Sequence, residues 1–301
     1  MELWFVEKFM DCTGFEGRDK AALREALSKL GPAGEAALLD AAERYTAAGY
    51  RTELLDGLLA QMEPLYGVHR YTLWLLVLIL CSKAPYDRCR GEKLFWDTFT
   101  DIRYKVQECR RVHGICGVFV GFWYPIFFTD SIVKLGRLEF ETSVYPGKAP
   151  VSIGDYRVGP GDISYSIHIP ASGEPFTREA RLDAYRRAYD HFGCAQQGVP
   201  LVCWCESWLL YPPYAERLPE GSHIKDFSQD FLSVTPMETP VFDDFWRVFP
   251  GQIETDPASW KGDSGLQRAI KSHFLSGGKP GCGLGLLIFD GEHLLQKEQA
   301  L

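Results

Sequence analysis

Asp162-Ile163-Ser164-Tyr165-Ser166-Ile167-His168-Ile169-Pro170 alternates apolar and polar residues with a period of two. That pattern predicts a strand with Ile163, Tyr165, Ile167 and Ile169 on one face and Ser164, Ser166 and His168 on the other. Pro170 ends it, because proline has no N–H to give a ladder. Ala171 to Phe176 then reads as a Gly-containing loop, and Thr177 caps a helix from Arg178 to Phe192 whose apolar stripe is Leu182, Tyr185, Ala188, Tyr189 and Phe192. Strand, loop and capped helix make a βα unit, which places this part of the chain in a mixed α/β fold.

The neighbouring segments extend that unit. Leu201 to Leu210 is apolar on both faces except at Glu206 and Ser207, as expected of a central strand. Gly136 to Tyr145 alternates, with Leu138, Phe140 and Thr142 on a core face and Arg137, Glu139, Glu141 and Ser143 on a polar one. Ile224 to Val234 carries aromatic residues at Phe227 and Phe231, Phe242 to Phe249 and Leu266 to Leu275 read as helices, and Gly281 to Phe289 reads as a closing strand. Gly277 to Gly285 is rich in glycine but precedes its strand and has no Ser or Thr after Lys279, so it reads as a turn and a small-residue strand rather than a phosphate loop.

Upstream the period changes. Lys20 to Leu30, Gly34 to Ala47, Thr52 to Met62, His69 to Ser82 and Glu92 to Arg111 have helical apolar stripes, with breaks expected at Gly31-Pro32, Gly49, Pro64 and Pro85. The expected organisation is a helical domain over residues 1–117 followed by an α/β domain over 118–301.

Composition sets limits on function. With 46% hydrophobic and 24% charged residues the chain can bury a large core, which excludes wholesale disorder. The net charge is −8, with 16 basic and 17 acidic residues up to Gly117 and 16 against 23 after it. Neither part has the positive footprint that nucleic-acid binding requires. The first residues carry acid at Glu2 and Glu7 where a secretory signal carries base, so a cytoplasmic location is expected. The most apolar run, Tyr71 to Cys81, is 11 residues, too short to span a bilayer and suited to a buried helix. Nine cysteines without an export signal read as buried thiols, and Cys203-x-Cys205 alone does not make a zinc site, so no metal is expected.

Several residues could carry chemistry. The N-terminus of the helix after Thr177, with Arg178 and Arg181 near it and Glu174 and Glu179 opposing them, is either an anion site or an ordinary βα connection. His168 is a candidate general base, since an imidazole titrates near neutral pH. Glu139 and Glu141, two apart on one strand face, read either as paired carboxylates or as a solvated face. Glu206, Ser207 and Tyr211 lie at the end of the central strand, where α/β folds place ligands. Cys205 with His168 could be a thiol and its base, although a buried thiol is inert.

Four segments carry a family resemblance: Leu135-Gly136-Arg137-Leu138-Glu139-Phe140-Glu141, His168-Ile169-Pro170-Ala171-Ser172-Gly173-Glu174-Pro175, Cys205-Glu206-Ser207-Trp208-Leu209-Leu210, and Leu218-Pro219-Glu220-Gly221-Ser222-His223-Ile224 with Phe227 and Phe231. In order and spacing they resemble a bacterial family of acyltransferase-like proteins with a helical N-terminal domain and a GNAT-like C-terminal domain. The resemblance implies a mixed sheet flanked by helices, and acetyl-CoA or another acyl-CoA as cosubstrate. Its pyrophosphate would lie against Ile169, Ser172, Gly173, Thr177, Arg178 and Arg181. Ser172-Gly173-Glu174-Pro175 replaces the usual superfamily loop, Gln/Arg-x-x-Gly-x-Gly/Ala. The chemistry implied is direct N-acyl transfer to an amine of a small molecule or peptide. Glu141 or His168 would be the base, Tyr211 the acid, and Glu139, Glu206 and Ser207 the substrate contacts. The alternative is a non-catalytic module that keeps the fold to bind a ligand or a protein. The oligomeric state is not legible.

Overall fold

A computed structural model describes residues 3–295. The chain forms two compact units: residues up to Val133 together with Pro170–Ser172, and Lys134–Ile169 together with the chain from Gly173 onward. This division falls after Val133, whereas the change in composition lies at Gly117.

The first unit is helical: α1 (Trp4–Cys12), α2 (Gly17–Ala47), α3 (Thr52–Tyr66), α4 (Arg70–Cys81), α5 (Lys83–Arg88), α6 (Glu92–Phe99), α7 (Asp101–His113) and α8 (Pro125–Phe128). Every residue of α4 from Thr72 to Cys81 is buried, because α1, α2 and α3 all pack against a helix that is apolar all round. The expected break at Gly31-Pro32 is a kink inside α2, where Gly31 adopts φ +58°. Pro64 does not end α3, which continues to Tyr66. The sequence reading missed α1, whose nine residues bury Phe5, Val6, Phe9 and Met10 on one face. Among the described residues no helix is long and apolar enough to cross a membrane.

The second unit is built on a six-stranded mixed sheet in the order β1-β2-β5-β6-β8-β7, with a separate two-stranded hairpin, β3-β4. The strands are β1 (Ile132–Leu135), β2 (Leu138–Val144), β3 (Val151–Ile153), β4 (Tyr156–Val158), β5 (Ile163–His168), β6 (Leu201–Ser207), β7 (Ser233–Glu238) and β8 (Gly281–Phe289). The helices are α9 (Arg178–His191), α10 (Cys194–Gln197), α11 (Pro212–Ala215), α12 (His223–Ser228), α13 (Phe245–Val248) and α14 (Gly265–Leu275). Strands β5 and β6 run parallel with α9 in the crossover between them, and the β2–β5, β6–β8 and β7–β8 pairs are antiparallel.

One face of the sheet carries α9, where Phe192 stacks on Tyr165 at 3.7 Å and Tyr185 meets Phe289. On the other, Leu286, Ile288, Val202 and Trp204 pack with Tyr145, Val158 and the hairpin residues Val151 and Ile153. Burial on both faces corrects the expected polar face of β5. Ser166 pairs with Trp204 and shares its covered side, so Ser164 and Ser166 are buried, while Ile163 at the strand's start is exposed. Glu139, read with Glu141 as either paired carboxylates or a solvated face, is buried as well.

Other elements end earlier than expected. Strand β6 stops at Ser207, whose hydroxyl accepts the Leu209 N–H and turns Trp208–Leu210 into a 3₁₀ turn. Phe242 to Phe249 contributes only the short α13, and Ile224 to Val234 divides into α12 and the start of β7. The small residues of β8 have a packing reason: a Cβ at Gly283 would stand 2.4 Å from the Leu210 carbonyl oxygen, and one at Gly285 would stand 2.5 Å from the Phe231 ring.

Candidate active site

The site begins with a fault in the sheet. The parallel pair β5–β6 is in register only at Tyr165–Cys203 and Ser166–Trp204. Yet β5 stays paired with β2 as far as His168–Glu139, and β6 stays paired with β8 as far as Ser207–Gly283. Beyond Ser166 and Trp204 the two central strands therefore part, each held by its outer neighbour. Strand edges inside a sheet offer backbone N–H and C=O groups to an extended ligand that enters between them.

His168 stands at the mouth of this split. Its Nε2 lies 2.9 Å from Glu141 Oε2, and both side chains are about a quarter exposed. The pair exists because antiparallel register places Glu139 opposite His168 and Glu141 opposite Ser166, all on one face. Glu206 of β6 falls on that same face, two residues past Trp204, and is exposed. The split thus has an imidazole bonded to a carboxylate on one side and a second carboxylate on the other.

From β5 the chain leads to α9. Thr177 is its N-cap, accepting the Ala180 N–H on Oγ1 at 3.3 Å. The helix end favours negative charge: the exposed Glu179 carboxyl is held below the usual carboxylate range, first by its own backbone N–H and then by the Thr177 hydroxyl. Gly173 adopts φ +75° with open space around its Cβ position. Two cations from the β1–β2 turn reach the loop. Lys134 Nζ lies 3.3 Å from Glu174 Oε2, and Arg137 Nε donates to the Glu174 carbonyl at 3.2 Å while its guanidinium covers the Phe176 ring. Gly136, at φ +64°, makes the turn that puts both there. Arg178 is exposed on the first turn of α9.

Other predicted residues lie elsewhere. Arg181 was expected to face an anion, but its side chain is 0% exposed and points inward. Nε donates to Asp230 Oδ2 at 2.6 Å, Nη2 to Asp226 Oδ2 at 2.7 Å and Asp230 Oδ1 at 3.1 Å, and Nη1 to the Phe176 carbonyl at 3.0 Å. Tyr211 is buried in an aromatic cluster with Tyr214, Phe242, Phe245 and Trp260, its ring against Gly281, and burial raises its hydroxyl pKa. Ser207 caps the following turn. Cys205 is buried, and desolvation pushes its thiol up to about 12, the opposite of what a nucleophilic thiolate needs. Ile169 and Ser172 are half-buried.

Sequence reasoning missed Lys134, Arg137, Asp226 and Asp230. The first two had a signal in the cations flanking Gly136 at a strand turn. The second two had one in their spacing of four, which puts two carboxylates on one side of a helical segment.

Residues 5–129 match the N-acyltransferase N-terminal domain, and residues 132–287 match the GNAT-like C-terminal domain. No curated protein matches the chain in sequence. Among solved structures it is similar to an acyltransferase in complex with decanoyl-CoA and teicoplanin, at 20% identity and TM-score 0.59, covering 96% of this chain and 100% of that one. It is similar to an acyltransferase in complex with decanoyl-CoA, at 19% identity and TM-score 0.60, covering 95% and 99%. It also resembles an acyltransferase mutant in complex with octanoyl-CoA, at 22% identity and TM-score 0.58, covering 72% of this chain and 66% of that one, just under two thirds. At these identities the likeness speaks to fold, and the two domain matches together span the chain almost end to end. The chain belongs to the family that joins an N-acyltransferase N-terminal domain to a GNAT-like C-terminal domain.

Proposed function

We propose that this protein transfers an acyl group from an acyl-CoA to an amine nitrogen of a small molecule or peptide. The observation that carries the reading is the parting of β5 and β6 beside the His168–Glu141 pair, on the strand that leads directly to the capped N-terminus of α9. Acyl-CoA supplies the activated acyl group as a thioester.

The chain's own groups supply the rest. The loop from Ile169 through Ser172 and Gly173 to Thr177, with Arg178 and the cations Lys134 and Arg137, would hold the pyrophosphate at the helix N-terminus. The inner edges of β5 and β6 would hold the extended pantetheine by backbone hydrogen bonds. Glu206, exposed on the same face as His168, would attract the acceptor as an ammonium ion. The bound ammonium first loses one proton to bulk water, and His168, oriented by Glu141, would take a second from the resulting neutral amine as its lone pair attacks the thioester carbonyl. The C–S bond breaks, and the proton held on His168 passes to the departing thiolate. No covalent enzyme intermediate is needed. Tyr211 has no part in this scheme, because its ring is committed to the aromatic cluster. The solved neighbours in complex with octanoyl-CoA, decanoyl-CoA and teicoplanin support the substrate classes by analogy of fold.

Calorimetry with acetyl-, octanoyl- and decanoyl-CoA tests the reading. Binding of at least one is expected, and ligand at 100 times Kd should add about 2.7 kcal/mol to unfolding stability. Folded protein that binds none of the three would overturn it.

A further inference from the structure

Arg181 is the largest fully buried charged side chain among the described residues, and direct contact with substrate does not account for it. Its guanidinium is fully buried between Asp226 and Asp230, and the Tyr185 hydroxyl donates to the same Asp230 oxygen at 2.9 Å. Two carboxylates around one guanidinium cancel its positive field, so it contributes little long-range attraction for a phosphate. One donor remains outside this cluster: Nη1, which donates to the carbonyl of Phe176 at 3.0 Å. The ring of Phe176 lies 5.3 Å from the guanidinium and 5.1 Å from Phe227 of α12, so residue 176 is held through both its carbonyl and its side chain.

The peptide joining Phe176 to Thr177 is trans. In a trans peptide the carbonyl and the following N–H point in opposite directions. Drawing the Phe176 oxygen onto the buried guanidinium therefore turns the Thr177 N–H away from the core and removes a carbonyl dipole that would repel an anion. We propose that Arg181 is a positioning residue for the pyrophosphate site: anchored by Asp226 and Asp230, it fixes the Phe176–Thr177 peptide with its N–H outward at the N-terminus of α9. The proposal rests on the acyl-CoA reading above and gives the buried arginine a role without contact to substrate.

The test compares two ligands that differ at the pyrophosphate. Decanoyl-CoA carries it, and S-decanoyl-pantetheine lacks it while keeping the acyl and pantetheine parts. Calorimetry on the full chain would compare wild type, Arg181→Lys and Asp226→Asn. A lysine cannot span Asp230 and the Phe176 carbonyl as the forked guanidinium does. Arg181→Lys should weaken decanoyl-CoA binding about tenfold or more and leave S-decanoyl-pantetheine within about twofold. Asp226 is one-third exposed, so Asp226→Asn should keep the fold and show the same selective loss at about threefold. It carries the test where Arg181→Lys does not fold. Equal losses for both ligands, or no loss for either, would overturn the positioning role. Wild type that binds neither ligand would instead overturn the acyl-CoA reading, and this inference with it.

Discussion

Asp230→Ala leaves the fully buried Arg181 with one carboxylate instead of two. Asp230 is 2% exposed and takes two of the guanidinium's hydrogen bonds, at 2.6 and 3.1 Å, as well as the Tyr185 hydroxyl. Removing one partner of a buried ion pair costs about 3–5 kcal/mol, because the remaining charge stays desolvated. Against a typical total of about 5–15 kcal/mol, that is about a fifth of the stability or more. Asp226 offers an internal comparison. Its carboxylate makes one bond, at 2.7 Å, and is one-third exposed, so Asp226→Ala should cost about 1 kcal/mol after allowing for solvent screening. Urea unfolding followed by tryptophan fluorescence measures both. The double variant Arg181→Met/Asp230→Ala should be more stable than Asp230→Ala alone, since it removes the stranded charge. A cost below about 1 kcal/mol for Asp230→Ala, or equal costs at the two aspartates, would refute the reasoning that burial sets the magnitude.

Further outcomes follow from the site and its surroundings. His168→Gln should lower kcat by about 10²–10⁴ with acyl-CoA affinity unchanged, and Glu141→Gln, at the residue that in the proposed scheme only orients the imidazole, by about tenfold. Initial rates of thiol release beside calorimetric Kd separate these effects. Glu174→Gln removes the carboxylate facing Lys134 and should tighten CoA binding; unchanged affinity by calorimetry would remove Glu174 from the site. Iodoacetamide at pH 7.5, with peptide mass mapping, should label the exposed Cys12 and spare Cys203 and Cys205 in the native state. Burial raises both of those thiols, Cys205 to about 12, above an unfolded value near 9, so the unfolded chain ionises first. Their contribution is complete below about pH 9 and is lost as pH rises toward 12, so urea midpoints should fall across that interval.

Local patterns carried much of the architecture. The period of two at Ile163–His168, the Thr177 cap and the apolar run of Tyr71–Cys81 each specify an element by themselves, and β5, α9 and α4 stand where those patterns lie. What depends on neighbours distant in sequence was not legible. Ser164 and Ser166 read as part of a polar face because nothing local reveals that the sheet is covered on both sides. Arg181 read as an anion ligand because its partners, Asp226 and Asp230, lie 45 and 49 residues away. The His168–Glu141 bond depends on the register of β2 against β5, which sets two candidates for one role side by side. Likewise the parting of β5 and β6 is a property of pairing, and neither strand's composition encodes where the ladder stops.

The central claim is amine-dependent acyl transfer at the split between β5 and β6. The most direct measurement is release of the CoA thiol from decanoyl-CoA, and from acetyl-CoA, with a panel of primary amines and amine-bearing peptides, paired with mass spectrometry of the acceptor. The account predicts that release requires an amine, that the acceptor gains the acyl mass, and that His168→Gln slows both by about 10²–10⁴ while still binding the acyl-CoA. Bound acyl-CoA that yields no acylated amine across the panel, or equal turnover by His168→Gln, would contradict it.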